Sequence, residues 1–159
     1  MSTDAAVPTV VVEEVAACLT YPLRGAVLRA GRPVEIPGDD DPTTFHLAAR
    51  TAEGRVVGVV RFHPNPCPWR PEATGAWQLR GMATDPSVRG TGAGRALVVE
   101  GLLRVARLGG DLVWCDARAV AAGFYERMGF RVITEPYELS PIGPHLGMVT
   151  EIAGTTAAP

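Results

Sequence analysis

Lysine is missing from this chain: all fifteen basic residues are arginine. A nucleotide-cradling loop of the Gly-Lys-Ser/Thr kind is therefore excluded. Cysteine and histidine are scarce, with three of each. Cys18, Cys67 and Cys115 lie far apart with no C-x-x-C pair, so neither a zinc site nor a disulfide framework is expected. The formal net charge of −2 gives no basic field for nucleic acid. No apolar run approaches the roughly 20 residues that cross a bilayer. The N-terminus also lacks the charged and apolar regions of a signal peptide, so a cytoplasmic protein with no membrane partner is expected.

What is present suits a folded domain. The chain has 159 residues, 47% of them hydrophobic and 20% charged, enough for one core. One domain over residues 7–152 is expected, with flexible ends at 1–6 and 153–159.

Glycine is plentiful, and one cluster stands out. Residues 75–97 read as a strand, a turn at Asp85-Pro86, a glycine-dense loop and the start of a helix. Gly90, Gly92 and Gly94 alternate in that loop, between Arg89 and Arg95. Glycine allows positive φ and close approach of a ligand to the backbone. At a helix N-terminus, such a loop turns several N–H groups toward one point that favours an anion. A phosphate or pyrophosphate site follows. The dinucleotide pattern G-x-G-x-x-G does not fit, because Arg95 or Leu97 stands where its third glycine belongs.

The rest of the chain supplies strands and helices around that loop. A β-branched strand is expected over residues 9–15 and a helix over 18–30, weakened by Pro22 and Gly25 and closed by Gly31. Residues 33–42 form a loop carrying Glu35, Asp39, Asp40 and Asp41, an acidic run whose ordinary reading is solvated surface. Strands over 45–51 and 55–63 are joined by the turn Glu53-Gly54. The proline-rich stretch 64–71 reads as a loop, in which Trp69 serves either contact or packing. A strand over 77–84 precedes the glycine loop. The helix after it shows an apolar face of Leu97, Val98, Gly101, Leu102, Val105 and Leu108 and ends at Gly109-Gly110. A short buried strand over 112–115, a helix over 119–128 ended by Gly129, and strands over 130–139 and 145–152 complete the order.

Arg89-x-x-Gly92-x-Gly94, after a strand ending Met-Ala-Thr-Asp-Pro, resembles the acyl-CoA pyrophosphate loop of the GNAT superfamily of N-acetyltransferases. A second stretch is similar to the same family: Leu-Val-Trp-Cys-Asp-Ala-Arg at 112–118, then Ala-Gly-Phe-Tyr-Glu-Arg-Met-Gly-Phe at 122–130. From the start of one anchor to the end of the other is about a third of the chain.

The resemblance implies an α/β fold with a mixed, mostly antiparallel sheet, a splayed central strand pair and flanking helices. It implies acetyl-CoA as acyl donor and transfer to a primary amine of a small molecule or peptide, with a homodimer allowed. Met82, Ala83 and Thr84 would hold the pantetheine arm along a bulged fourth strand. Arg89, Gly90, Thr91, Gly92, Ala93, Gly94 and Arg95 would wrap the pyrophosphate. Tyr125 falls at the general acid that protonates the leaving thiolate; its other reading is a buried tyrosine whose hydroxyl is bonded elsewhere. Asp116 matches a cofactor-contacting amide of the family, or caps the next helix. Glu35, Asp39, Asp40, Asp41 and Gln78 are expected on the acceptor side. The general base stays open among those acids, Gln78 through a water, His46, or no protein group. A non-catalytic acyl-CoA-binding sensor or partner module is the alternative, and an intact Tyr125 favours the enzyme.

Overall fold

A computed structural model describes residues 9–29 and 33–152. The expected helix end at Ala30 and Gly31 and the expected flexible termini lie outside the described residues. The chain forms two compact units interleaved in sequence, Met1–Arg61 with Gly81–Val98, and Phe62–Arg80 with Val99–Pro159.

In the first unit, β1 (Val11–Val15) pairs antiparallel with β2 (Phe45–Arg50), Val15 opposite His46. Between them the expected single helix is broken into three short pieces: a 3-10 turn (Ala17–Thr20), α1 (Tyr21–Arg24) and a π-type turn (Gly25–Arg29). Pro22 is the physical reason at the front, since it is tolerated only in a first turn and lies at the start of α1. Leu23, Ala48, Val59 and Ala83 form the core here, with Val15, Val27, Leu28 and Val56 packed on it.

β3 (Val56–Pro64) and β4 (Ala76–Thr84) follow. Gly81 has φ of 62° in the middle of β4, a left-handed conformation that breaks the extended run as a glycine bulge does. The family resemblance implies a bulge in this strand. After a 3-10 turn (Pro86–Val88) comes α2 (Ala93–Arg107). Its inward face is Leu97, Val98, Gly101 and Val105, whereas Leu108, expected there, is 62% exposed. Leu108 lies past the last helical residue, where the chain turns away. Gly109, at φ 88°, and Gly110 donate to the Ala106 and Val105 carbonyls at 3.1 and 2.9 Å, a Schellman ending.

The second unit holds β5 (Leu112–Arg118), which runs three residues beyond the expected strand. A 3-10 turn (Ala119–Ala121) leads into α3 (Ala122–Arg127). The strand expected over 130–139 is instead two short ones, β6 (Arg131–Val132) and β7 (Tyr137–Leu139). Pro136 lies between them and cannot donate to a ladder, while Ile133 and Thr134 bond Gly147 instead. Both pair antiparallel with β8 (Gly143–Glu151), as does β5.

Hydrogen bonding orders the strands β1-β2-β3-β4-β5-β8-β6, with β7 also on β8. The result is the expected α/β fold with a mostly antiparallel eight-stranded sheet. β4 and β5 are parallel over three pairs, from Ala76↔Leu112 to Gln78↔Trp114, and the ladder then stops although both strands run on. The expected splay begins there.

Candidate active site

The glycine loop is held from behind. Asp85 accepts from the Ser87 amide at 2.9 Å and its hydroxyl at 2.7 Å, and from Arg55 at 2.7 Å, while its own amide donates to Val57 of β3. The Val88 carbonyl then accepts both the amide and the hydroxyl of Thr91. Gly90 and Gly92 take φ of 80° and 94°, and a Cβ on either would meet nothing within 4 Å. Open space therefore faces both glycines. The amide of Ala96 closes the first full helical turn onto Gly92 at 2.9 Å. The amides of Ala93, Gly94 and Arg95 precede it and have no carbonyl one turn back. Arg89 and Arg95 are exposed on either side, and Thr91 and Gly94 are half-buried. This is a cradle of donors and positive charge that fits a pyrophosphate.

Tyr125 is fixed by the end of α3. Gly129, at φ 96°, donates to the Glu126 carbonyl at 3.0 Å, and Phe130 donates to the Tyr125 carbonyl at 3.0 Å. That is a Schellman cap, in which the residues here occupied by Tyr125 and Phe130 touch. Their rings are 5.4 Å apart, and Phe124 lies 5.2 Å from Tyr125 on another side. The sequence Phe-Tyr-Glu-Arg-Met-Gly-Phe is thus one capping device with a tyrosine at its centre. The Tyr125 hydroxyl makes no hydrogen bond among the described residues. Burial pushes its pKa well above the usual tyrosine value, and the nearby Cys115 thiol adds to the rise.

Residues 41–132 match the family model described as Acetyltransferase (GNAT) domain. The chain belongs to the GNAT acetyltransferases. It is 33% identical over 132 residues to the uncharacterized N-acetyltransferase YitI of Bacillus subtilis, covering 81% of this chain and 87% of that one. Its fold is similar to that of the Escherichia coli GNAT protein YhbS in complex with CoA, at TM-score 0.69 and 21% identity over 96% of this chain and 86% of that one. It is also similar to the ribosomal-protein-S18-alanine N-acetyltransferase of Escherichia coli, at 0.72 and 17% over 92% and 96%. Acetyl-CoA is the acyl donor of GNAT enzymes, and acetyl transfer from it is their general reaction.

Among the residues expected to serve this GNAT protein's chemistry, Met82 and Thr84 are half-buried at the end of β4. Ala83 is committed to the core, which leaves only its backbone for a ligand. Glu35, Asp40 and Asp41 are exposed and line a cleft of about 550 Å³ with Tyr21. Burial and then the Asp39, Asp40 and Glu35 charges raise the Tyr21 pKa.

Asp39 differs from its neighbours and corrects the reading of the acidic run as solvated surface. Its carboxylate is buried between Arg24 at 2.7 and 3.2 Å and Arg61 at 3.0 Å, and also takes the Ile36 amide at 2.8 Å. His46 is likewise structural. A guanidinium cannot accept, so His46 Nδ1 accepts from Arg24 at 3.4 Å and Nε2–H donates to the Asp39 carbonyl at 2.9 Å. That fixes a neutral ring, removing His46 as a base poised for a substrate.

Asp116 does not cap the following helical turn, whose start shows no side-chain cap. It accepts from the Tyr137 hydroxyl and, at 3.4 Å, from Gln78. Gln78 is oriented in turn by Asn65, which donates to its carbonyl at 3.0 Å. Sequence reasoning had no signal for Tyr137 or Asn65, since each belongs to a loop or short strand with no motif. No metal-ligating cluster occurs among the described residues, and no described helix is long and apolar enough to cross a membrane.

Proposed function

We propose that this chain, as one transferase domain over residues 7–152, moves an acetyl group from acetyl-CoA directly to the primary amine of a cationic small molecule or peptide. The observation that carries the reading is Tyr125, held by its cap with a hydroxyl bonded to no described group. A sensor that only bound acyl-CoA would have no use for a fixed, unbonded acid.

In this scheme the residues from Arg89 to Arg95 bind the pyrophosphate through main-chain amides and the two arginine side chains. The backbone at Met82, Ala83 and Thr84 holds the pantetheine arm and donates to the developing oxyanion. The neutral amine attacks the thioester carbonyl, a C–N bond forms, the C–S bond breaks, and the surplus proton of the nitrogen leaves to solvent. Tyr125 gives its proton to the departing thiolate. Burial keeps the phenol protonated at neutral pH, as an acid must be.

The exposed carboxylates of Glu35, Asp40 and Asp41 in the cleft favour a positively charged acceptor. Free-thiol release from acetyl-CoA against spermidine, an aminoglycoside and an alanine-ended peptide tests the reaction. Neutralising Glu35, Asp40 and Asp41 together should raise KM for the cationic acceptor and leave KM for acetyl-CoA alone. Asp39 is excluded from that set because it is buried. An unchanged acceptor KM at low salt, where screening is weakest, would return the cleft to ordinary surface.

A further inference from the structure

We infer that Arg24 is a positioning residue for acetyl transfer: its guanidinium seats the β4 bulge at Gly81 and leaves an uncompensated positive charge beneath the strand that receives the oxyanion. The inference rests on the transferase reading above and names a group that reading does not use.

Arg24 is 0% exposed. Its two terminal nitrogens donate to Asp39 at 2.7 and 3.2 Å, to the Val34 carbonyl at 3.3 Å and to His46 Nδ1 at 3.4 Å. A bidentate grip on a carboxylate fixes the plane of a guanidinium as well as its place. The third nitrogen, Nε, has no hydrogen-bond partner among the described residues. What lies against this part of the group is β4. A Cβ added to Gly81 would be 3.0 Å from Nε, 3.4 Å from Cζ and 3.4 Å from Nη2. Such even distances put residue 81 over the flat face of the guanidinium, where no hydrogen bond is made. Gly81 is therefore glycine on two grounds: a left-handed φ of 62° and a guanidinium standing in the space of its side chain. The bulge rests on a plate that Asp39 holds still.

Stability alone does not account for Arg24. Arg61, 2% exposed, already meets Asp39 at 3.0 Å, and one buried carboxylate calls for one buried cation. His46 is neutral, as its hydrogen bonds require, and the Asp41 charge acts on Arg61 from the exposed rim of the cleft. A second guanidinium on the same carboxylate leaves the buried cluster with surplus positive charge. Such a surplus, with an unpaired Nε beside it, costs stability and needs a reason beyond packing. Its place supplies one. Gly81 directly precedes Met82, whose backbone the transferase reading gives to the thioester carbonyl. Negative charge grows on that oxygen as the amine attacks. A fixed cation in a water-excluded setting favours that charge more in the transition state than before it. Arg24 touches neither reactant and acts through the strand.

The test compares wild type with Arg24→Met, which keeps apolar bulk and leaves Asp39 paired with Arg61. Acetyl-CoA carrying carbon-13 at the thioester carbonyl is bound without any amine, and its carbonyl stretch is read by difference infrared spectroscopy. In the wild type the band should lie below that of free acetyl-CoA, and in Arg24→Met it should return most of the way. With spermidine and an alanine-ended peptide kcat should fall about tenfold, while the calorimetric acetyl-CoA Kd stays within about twofold. Gly81→Ala keeps the arginine and its salt bridge but lifts the strand off the guanidinium. It should move the band in the same way, and it decides the matter if Arg24→Met does not fold. A wild-type band and kcat in either folded variant, even with a lowered melting temperature, would make the contact purely structural and overturn the inference. So would a rise confined to the acceptor KM, which would make Arg24 a support of the cleft. A wild type that shifts the band but releases no thiol with any amine would overturn the transferase reading, while the response of the band to Arg24→Met still judges the positioning.

Discussion

Arg24 grips Asp39 with both of its terminal nitrogens, at 2.7 and 3.2 Å, and the two side chains are 1% and 4% exposed. Arg61 holds the same carboxylate from another side. One negative charge thus compensates two buried positive ones, and it does so at the turn that carries the acidic cleft. Asp39→Asn should leave both guanidiniums short of charge and destabilise the protein by about 3–5 kcal/mol. Urea unfolding checks this, with exposed Asp40→Asn expected within about 0.5 kcal/mol of wild type.

The same cluster sets a pH dependence. Burial lowers the His46 pKa; the hydrogen bond to the Asp39 carbonyl opposes this, and the charges of Arg24 and Arg61 reinforce it. The unfolded chain takes up that proton near pH 6.5 while the folded protein refuses it. Stability is therefore full above about pH 6.5 and falls as the pH drops below it. Asp39 acts in a lower window. Burial raises its pKa, but the hydrogen bonds from Arg24 and Ile36 and the two arginine charges outweigh that and lower it. Its contribution persists down to about pH 3.9 and is lost as the pH falls through its depressed folded value. Melting temperatures between pH 7 and 4 should fall for wild type and flatten in His46→Gln, whose amide can make both hydrogen bonds.

Gly92→Val should weaken acetyl-CoA binding at least about tenfold, or 1.4 kcal/mol, with little loss of fold. The new side chain meets open space, so the damage comes from a φ of 94° that valine resists and from the blocked approach to the amides. Calorimetry decides, and undiminished affinity would remove the loop from the site.

Tyr125→Phe should lower kcat on the order of 10² while acetyl-CoA affinity and melting temperature barely move. The ring keeps its contacts with Phe124 and Phe130, and the lost oxygen forfeits no hydrogen bond to a described residue. Wild-type kcat with chemistry rate-limiting would mean that water protonates the sulfur.

Gly101→Ala should destabilise, although alanine gains about 1 kcal/mol over glycine in a helix. A Cβ there would lie 2.1 Å from the Phe62 ring, and overpacking costs about 1–3 kcal/mol. Thermal unfolding of Gly101→Ala beside Phe62→Leu/Gly101→Ala would show the double variant partly recovering.

How much of this was legible in the sequence depended on distance along the chain. The glycine loop and the Phe-Tyr-Glu-Arg-Met-Gly-Phe cap are local devices, so their spacing alone announces a donor cradle and a fixed tyrosine. Arg24, Asp39, His46 and Arg61 come from four separate segments and share no pattern. Nothing about Asp39 distinguishes it from Asp40 or Asp41 until the fold brings two arginines to it. The break between β6 and β7 was readable from Pro136 and was missed because Phe130, Val132 and Ile133 continue an apolar pattern. Tyr137 reaches Asp116 across 21 residues, a pairing that only the antiparallel register of β7 on β8 creates.

Trp69 rests on bare backbone, because Gly147 has no side chain: a Cβ there would come within 2.7 Å of its ring. It meets Trp114 edge-on at 5.4 Å and Tyr137 at 6.3 Å. Two indoles so close and so nearly perpendicular couple their electronic transitions, and the protein thereby carries its own optical gauge. The near-ultraviolet circular dichroism band of that pair reports any shift of the loop over β8, in a native protein without a dye.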